Sequence, residues 1–178
     1  MPDQTVSIRS LTADEAHTYN AVLATILIDC VDGGASVSFL APLSRDKAQG
    51  FWRGVAAGVA RGERMLLVAD DCATESIVGT VQVVLGQPEN QPHRADIAKM
   101  LVHRRARRRG IGALLMQAAE AAARAAGKTL LVLDTATGSD AERLDERLGW
   151  TRVGVIPGYA LWPDGQPCAT TYYYKPLL

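Results

Sequence analysis

Apolar residues along this chain follow two rhythms, and the switches between them mark its elements. Val6 and Ile8 alternate in a first strand, Thr5 to Leu11. Val22, Leu23, Ile26 and Leu27 then recur at helical spacing, and Thr12 with Glu15 makes a capping box, so a helix is expected from Thr12 to about Cys30. Val31 to Leu43 reads as a loop containing Gly33-Gly34, and Ser44 caps a second helix to about Arg61. Met65 to Ala69 is a short apolar run, as in a buried strand spanning Arg64 to Asp70. A polar turn to Ser76, a strand from Ile77 to Leu85 and a breaker from Pro88 to Pro92 follow. Ala95 to Val102 is a further strand. Ile111, Leu114, Leu115, Ala118, Ala119 and Ala122 form one stripe of a helix from Ile111 to Ala126, with Gly127 as its C′ residue. Leu130 to Leu133 is a buried strand ending in Asp134. Ser139 or Asp140 starts a short helix to Leu148, stopped by Gly149. Trp150 to Ile156 and Ala169 to Tyr174 are strands, separated by the turn signals Pro157-Gly158 and Pro163-Asp164-Gly165. The order β-α-α-β-β-β-α-β-α-β-β describes an α/β or α+β protein, a mixed sheet with helices on both faces.

Composition narrows this picture. The 178 residues show no repeat, linker or shift in composition, so a single domain, 1–178, is expected. Lys plus Arg and Asp plus Glu are balanced at 19 each, which argues against a generic nucleic-acid or membrane-surface binder. Cys30, Cys72 and Cys168 are odd in number and widely spaced, as reduced thiols in a cytoplasmic protein would be. No secretory leader, membrane span or metal site is expected.

The segment that points to chemistry is Arg107-x-x-Gly110-x-Gly112, where a strand opens directly into an apolar helix. A helix N-terminus presents unpaired N–H groups and positive potential, and glycines let the backbone approach a phosphate closely. Arg107, Arg108 and Arg109 add charge, so a pyrophosphate suits the place. The chain holds no Walker A loop, and only two glycines fit a dinucleotide fingerprint. The Arg104 to Arg109 run read alone is also compatible with a solvated face or a nucleic-acid patch.

With its flanking elements, this segment resembles the acetyl-CoA loop of the GNAT superfamily of N-acetyltransferases. Within it the chain is most similar to the tabtoxin-resistance type, through Gly33-Gly34-Ala35-Ser36-Val37, Lys99 to Gly112, Leu133-Asp134-Thr135, Gly138-Ser139, Thr151 to Gly154, Pro157-Gly158-Tyr159 and Pro163-Asp164-Gly165. The resemblance implies a GNAT-like, mostly antiparallel sheet of about seven strands that splays beside the loop. It implies acetyl-CoA as cosubstrate, with backbone groups of Leu101 and Val102 on the pantetheine arm and Arg107, Arg108, Arg109, Gly110, Ile111 and Gly112 around the pyrophosphate. Transfer would be direct, onto the amine of a small molecule, with a carboxylate as general base. Asp134 and Asp96 are the candidates; strand alternation would put Asp96, Ala98, Met100 and Val102 on one face. Gly33, Gly34, Ser36 and Tyr159 are candidate acceptor residues. Where many relatives have a proton-donating Tyr, this chain has Asp145, otherwise expected on the surface of its helix. That departure leaves a non-catalytic acyl-CoA sensor as the alternative, with a nucleic-acid module behind it. A homodimer through the late strands is the assembly considered.

Overall fold

The computed structural model describes residues 5–177. Its strands are β1 (Val6–Leu11), β2 (Arg64–Asp71), β3 (Ser76–Val84), β4 (Arg94–Val102), β5 (Leu130–Ala136), β6 (Thr151–Leu161) and β7 (Pro167–Pro176). They form one sheet in the order β1-β2-β3-β4-β5-β7-β6, antiparallel throughout except between β4 and β5. The helices are α1 (Ala13–Thr18), α2 (Asn20–Asp32), α3 (Arg45–Ala60), α4 (Ile111–Ala125) and α5 (Asp140–Arg147). On one face, Leu23, Leu27 and Trp52 of α2 and α3 bury Leu66, Val68 and Leu101. On the other, Ile111, Leu115 and Ala119 of α4 pack with Val81, Ile97, Leu133 and Tyr173, and Leu144 and Leu148 from around α5 join them. This is the mixed sheet with helices on both faces that the apolar pattern predicts. No helix among the described residues is long and apolar enough to cross a membrane.

Three local departures from the sequence expectation have physical causes. The first long helix is two helices, interrupted at Tyr19 (φ −89°, ψ 9°), whose ring lies 5.4 Å from the Arg9 guanidinium carbon. Pro157-Gly158 does not reverse the chain. β6 runs through it as a bulge, its pairing with β7 passing from Ile156–Thr170 to Ala160–Cys168. An edge strand tolerates proline, because the missing N–H would have faced solvent. The reversal comes at Pro163-Asp164-Gly165, where the Trp162 N–H donates to the Gln166 carbonyl at 2.8 Å and Gly165 adopts φ +87°.

The third departure matters for function. In β4, Lys99 adopts φ +51°, and β3 pairs Gln82 with Ala98 but Thr80 with Leu101. Two residues, Lys99 and Met100, thus stand opposite one, Val81, and the alternation inverts. Ala95 and Ile97 face α4 before the bulge; Met100 and Val102 face it afterwards, and Leu101 turns to the α1–α3 side. Asp96 and Met100 therefore lie on opposite faces, which corrects the expectation of one shared face.

Candidate active site

β4 and β5 share only three residue pairs, Arg94–Leu130, Ala95–Leu131 and Asp96–Val132. Beyond them the strands diverge, leaving the β5-facing edge of Ile97 to Val102 without a strand partner. Leu101 and Val102 keep their pairing to Thr80 and Gly79 on the other side. At the wide end of the opening stands the N-terminus of α4. Its N-cap, Gly110, adopts φ +76° and offers no side-chain cap, and no acidic residue occupies the first turn. The first intrahelical bond runs from the Leu114 N–H to the Gly110 carbonyl at 3.2 Å, which leaves the N–H groups before it pointing outward. Residues 107–110 are exposed, and a Cβ built on Gly110 would meet open space. An uncapped, solvent-open helix N-terminus at the mouth of a gap in a sheet is a fit place for a phosphorylated ligand with an extended arm.

The arginines divide unequally. Arg109 donates to the buried carboxylate of Asp71 at 2.6 Å and holds it below the ordinary carboxylate range. Arg107 Nε donates to the Val102 carbonyl at 3.1 Å, occupying a backbone group expected to meet the cosubstrate. Arg108, at φ +61°, makes no side-chain hydrogen bond or ion pair among the described residues. Gly112 has a different use from the one its position suggests. A Cβ there would lie 3.0 Å from Leu144 Cδ2 and 3.6 Å from the Met100 sulfur, so its bareness lets α4 pack on α5.

On the α1–α3 side of the gap lies a cavity of about 290 Å³, lined by Ser36, Ser38, Phe39, Asp134, Tyr159 and Leu161 among others. Burial around Asp134 lifts its carboxyl above the ordinary range; the Lys99 charge opposes that shift and Asp96 adds to it. Opposite Asp134 in β7 stands Tyr172, whose hydroxyl lies 2.7 Å from that of Tyr159, and this bond with burial pushes the Tyr172 phenol up to about 12. Lys99 Nζ donates to Ser38 Oγ at 3.0 Å. Of the other expected residues, Asp96 is ion-paired with Arg94 and accepts from Gln87 Nε2 at 3.1 Å; it is near enough to raise the Asp134 carboxyl, but its own side chain is held off the cavity lining. Gly34 lines a neighbouring cavity beside Trp162, and Gly33 packs against Arg104, whose Cδ would lie 2.9 Å from a Cβ there. The structure thus brings Ser36, Tyr159 and Asp134 together and leaves Gly33, Gly34 and Asp96 outside. The sequence reading missed Lys99 and Ser38; a lysine where an alternating strand changes phase is the signal that could have found the first.

Asp145 is not on the surface. It is 3% exposed, and burial, with repulsion from Glu142 and Glu146, pushes its carboxyl up to about 7. The cause is the short reach of α5. Leu144 and Leu148 turn to α4, while Glu142 and Glu146 accept from the Tyr173 hydroxyl, which leaves Asp145 between them facing the sheet. Because the folded value is raised, Asp145 favours the fold fully below the unfolded carboxylate pKa of about 3.9, and that contribution is lost as pH rises through about 7. Asp145→Asn removes the ionisation. It should raise Tm by roughly 5–10 °C at pH 8 and leave it nearly unchanged at pH 4, which thermal unfolding at the two pH values checks. A gain independent of pH would refute the buried-acid account.

Several solved structures share this fold. An N-acetyltransferase from Staphylococcus aureus superposes with TM-score 0.77 at 18% identity, over 97% of this chain and 99% of that one. A Salmonella typhimurium protein solved with its cofactor acetyl-CoA gives 0.78 at 18% identity, over 97% and 94%. The ribosomal-protein-alanine N-acetyltransferase of Brucella melitensis gives 0.77 at 19%, over 96% and 99%. The chain belongs to the acetyltransferase (GNAT) family, whose model matches residues 37–150. It is therefore an acetyltransferase.

Proposed function

We propose that this enzyme transfers the acetyl group to the amine of a small molecule, with Asp134 as general base. The observation that carries this reading is that Asp134, unlike Asp96, lines the cavity beside the β4–β5 gap. Backbone N–H groups from Arg107 to Gly112 would hold the pyrophosphate, with Arg108 as the available side chain. The strand edge at Leu101 and Val102 would take the pantetheine arm once Arg107 releases the Val102 carbonyl. Acetyl-CoA supplies the acetyl group as a thioester, a reactive acyl donor. An alkylammonium has a pKa of about 10, so the acceptor must lose a proton, and Asp134 is the carboxylate in reach of the cavity. No residue needs to protonate the leaving thiol fully, given a thiol pKa of about 8.5.

A small acceptor fits better than a protein terminus. The cavity, about 290 Å³, stands at the lower end of ligand pockets. The 33–43 segment closes over it, Ser36 Oγ donating to the Leu161 carbonyl and the Ala41 N–H to the Pro163 carbonyl, each at 2.9 Å. Against a nucleic-acid module, Arg104 and Arg109 are already paired with Asp29 and Asp71. The free thiols of Cys30, Cys72 and Cys168 support a cytoplasmic setting, and exposed Val153, Ile156 and Leu161 on β6 support a homodimer through the late strands. A screen for thiol release from acetyl-CoA, using small amines, β-lactam-containing amino compounds of the tabtoxin type and peptides with free N-termini, tests the reading. Turnover of small amines is expected. Turnover of peptides alone would sink the small-acceptor reading, and tight acetyl-CoA binding without turnover of any amine would favour the sensor.

A further inference from the structure

We propose that Lys99 is an anion anchor of the acceptor cavity, so that the acceptor is an amine that also carries a carboxylate, an amino acid or a compound built like one. The inference rests on Asp134 receiving the amine, and it adds what holds the acceptor's other end.

Lys99 occupies a costly position. A non-glycine residue at φ +51° inside a strand is strained, and such strain gathers where a site requires a side chain to be aimed. The bulge turns the Lys99 side chain toward Ser38, a residue of the cavity wall, where the ammonium donates to the hydroxyl at 3.0 Å. An ammonium has three donors, and Ser38 uses one. Lys99 makes no ion pair with any carboxylate among the described residues, although burial pushes its ammonium below the ordinary lysine range, with Asp134 opposing the shift and Arg64 adding to it. A largely buried cation without a counter-ion is expensive unless a ligand supplies one.

The surroundings share this shortage of negative charge. The charged and titratable groups around Lys99 and Asp134 are Arg64 of β2, Asp96 of β4, Tyr159 of β6 and Tyr172 of β7. Asp96 is committed to Arg94. Arg64 donates to Gln82 Oε1 at 2.8 Å and makes no ion pair among the described residues; its Nε and the Nε2 of fully buried Gln82 are without partners. Tyr172 is protonated at neutral pH, its phenol pushed up to about 12 by the bond to Tyr159 and by burial. Two cations therefore face one available acid. A zwitterion answers that arrangement: its amine lies toward Asp134, its carboxylate on Lys99 and the Ser38 hydroxyl, and its remainder against Phe39, Leu40 and Leu161.

The charges are also coupled. The Lys99 ammonium holds down the proton affinity of Asp134. A carboxylate seated on Lys99 offsets that charge, so Asp134 becomes the stronger base when an acidic acceptor is in place. Binding the anion thereby selects the acceptor and prepares the base.

Two measurements on the full chain test this. In the first, matched pairs are compared with saturating acetyl-CoA: each L-amino acid against the amine lacking its carboxylate. The wild type should favour the carboxylate-bearing member by about tenfold or more in kcat/KM, chiefly through KM. In Lys99→Met that preference should fall to about one, while Lys99→Arg should keep most of it. In the second, the Asp134 carboxyl is titrated by ¹³C NMR with and without propionate, which needs no turnover. Propionate should raise the Asp134 pKa in the wild type and leave it unmoved in Lys99→Met. Equal use of both members of each pair, or an Asp134 titration indifferent to propionate in the wild type, would overturn the proposal. A protein that binds propionate as expected yet acetylates nothing would leave the anchor standing and remove the transferase reading of Asp134.

Discussion

Asp134→Asn should lower kcat by roughly 10²–10⁴-fold, the range typical for loss of a positioned general base. Acetyl-CoA affinity measured by calorimetry should stay within about threefold, because Asn keeps the shape of the side chain and no part of the α4 N-terminus changes. Asp134 acts as a base only when ionised. Since burial raises its carboxyl above the ordinary range, the wild-type rate should fall on acidification at a pH higher than an exposed aspartate would give. That acid limb should be absent from the residual activity of the variant. Asp96→Asn is the discriminating comparison. Asp96 is held by Arg94 and Gln87 outside the cavity lining, so its loss should cost far less in kcat. Equal losses in the two variants, or full activity in Asp134→Asn, would show that the proton leaves by another route.

The second large effect is expected at Gly112. Gly112→Asp should weaken acetyl-CoA binding by about 100-fold or more, read by calorimetry, for two separable reasons. Its Cβ must displace Leu144 and crowd the Met100 sulfur, which shifts α5 against α4. Its carboxylate also sets a negative charge at the helix end meant for an anion. Gly112→Asn carries nearly the same bulk without the charge and should lose distinctly less. The same carboxylate is favourable to an isolated helix N-terminus, so the variant should fold as a helical protein with a damaged site. Identical affinities for Asp and Asn would assign the whole effect to the contact with Leu144.

What could be read in advance follows from how local each signal is. The Arg107 to Gly112 segment was legible because a glycine-rich N-terminus and an apolar stripe are both written within a few residues. The sheet of about seven strands with helices on both faces was legible because Met65 to Ala69 and Leu130 to Leu133 are continuous apolar runs and Ile77 to Leu85 is rich in β-branched residues. The bulge at Lys99 was written only as a break in alternation at Lys99-Met100-Leu101; the positive φ itself leaves no trace in composition, and it reverses every alternation argument after it. Ser38 and Lys99 are 61 positions apart, and only the folded sheet brings them together. Asp145 misled for a related reason. Its charge says surface, and only the packing of Leu144 and Leu148 on one flank and Tyr173 on the other forces it inward. Pro157-Gly158 looked like a reversal because its chemistry is that of a turn, and an edge strand can absorb the same residues as a bulge.

The three residue pairs between β4 and β5 have a further consequence. They are the only strand pairing among the described residues between β1–β4 and β5–β7, so the backbone continuity of the sheet rests there on a short seam, with the core under α4 packed across it. A ligand whose arm pairs with the open edge of β4 closes that seam as a further strand would. Its free energy of binding then counts toward keeping the halves together, growing by RT ln(1 + [L]/Kd). Resistance of the folded enzyme to proteolysis should then rise with the concentration of the acyl donor.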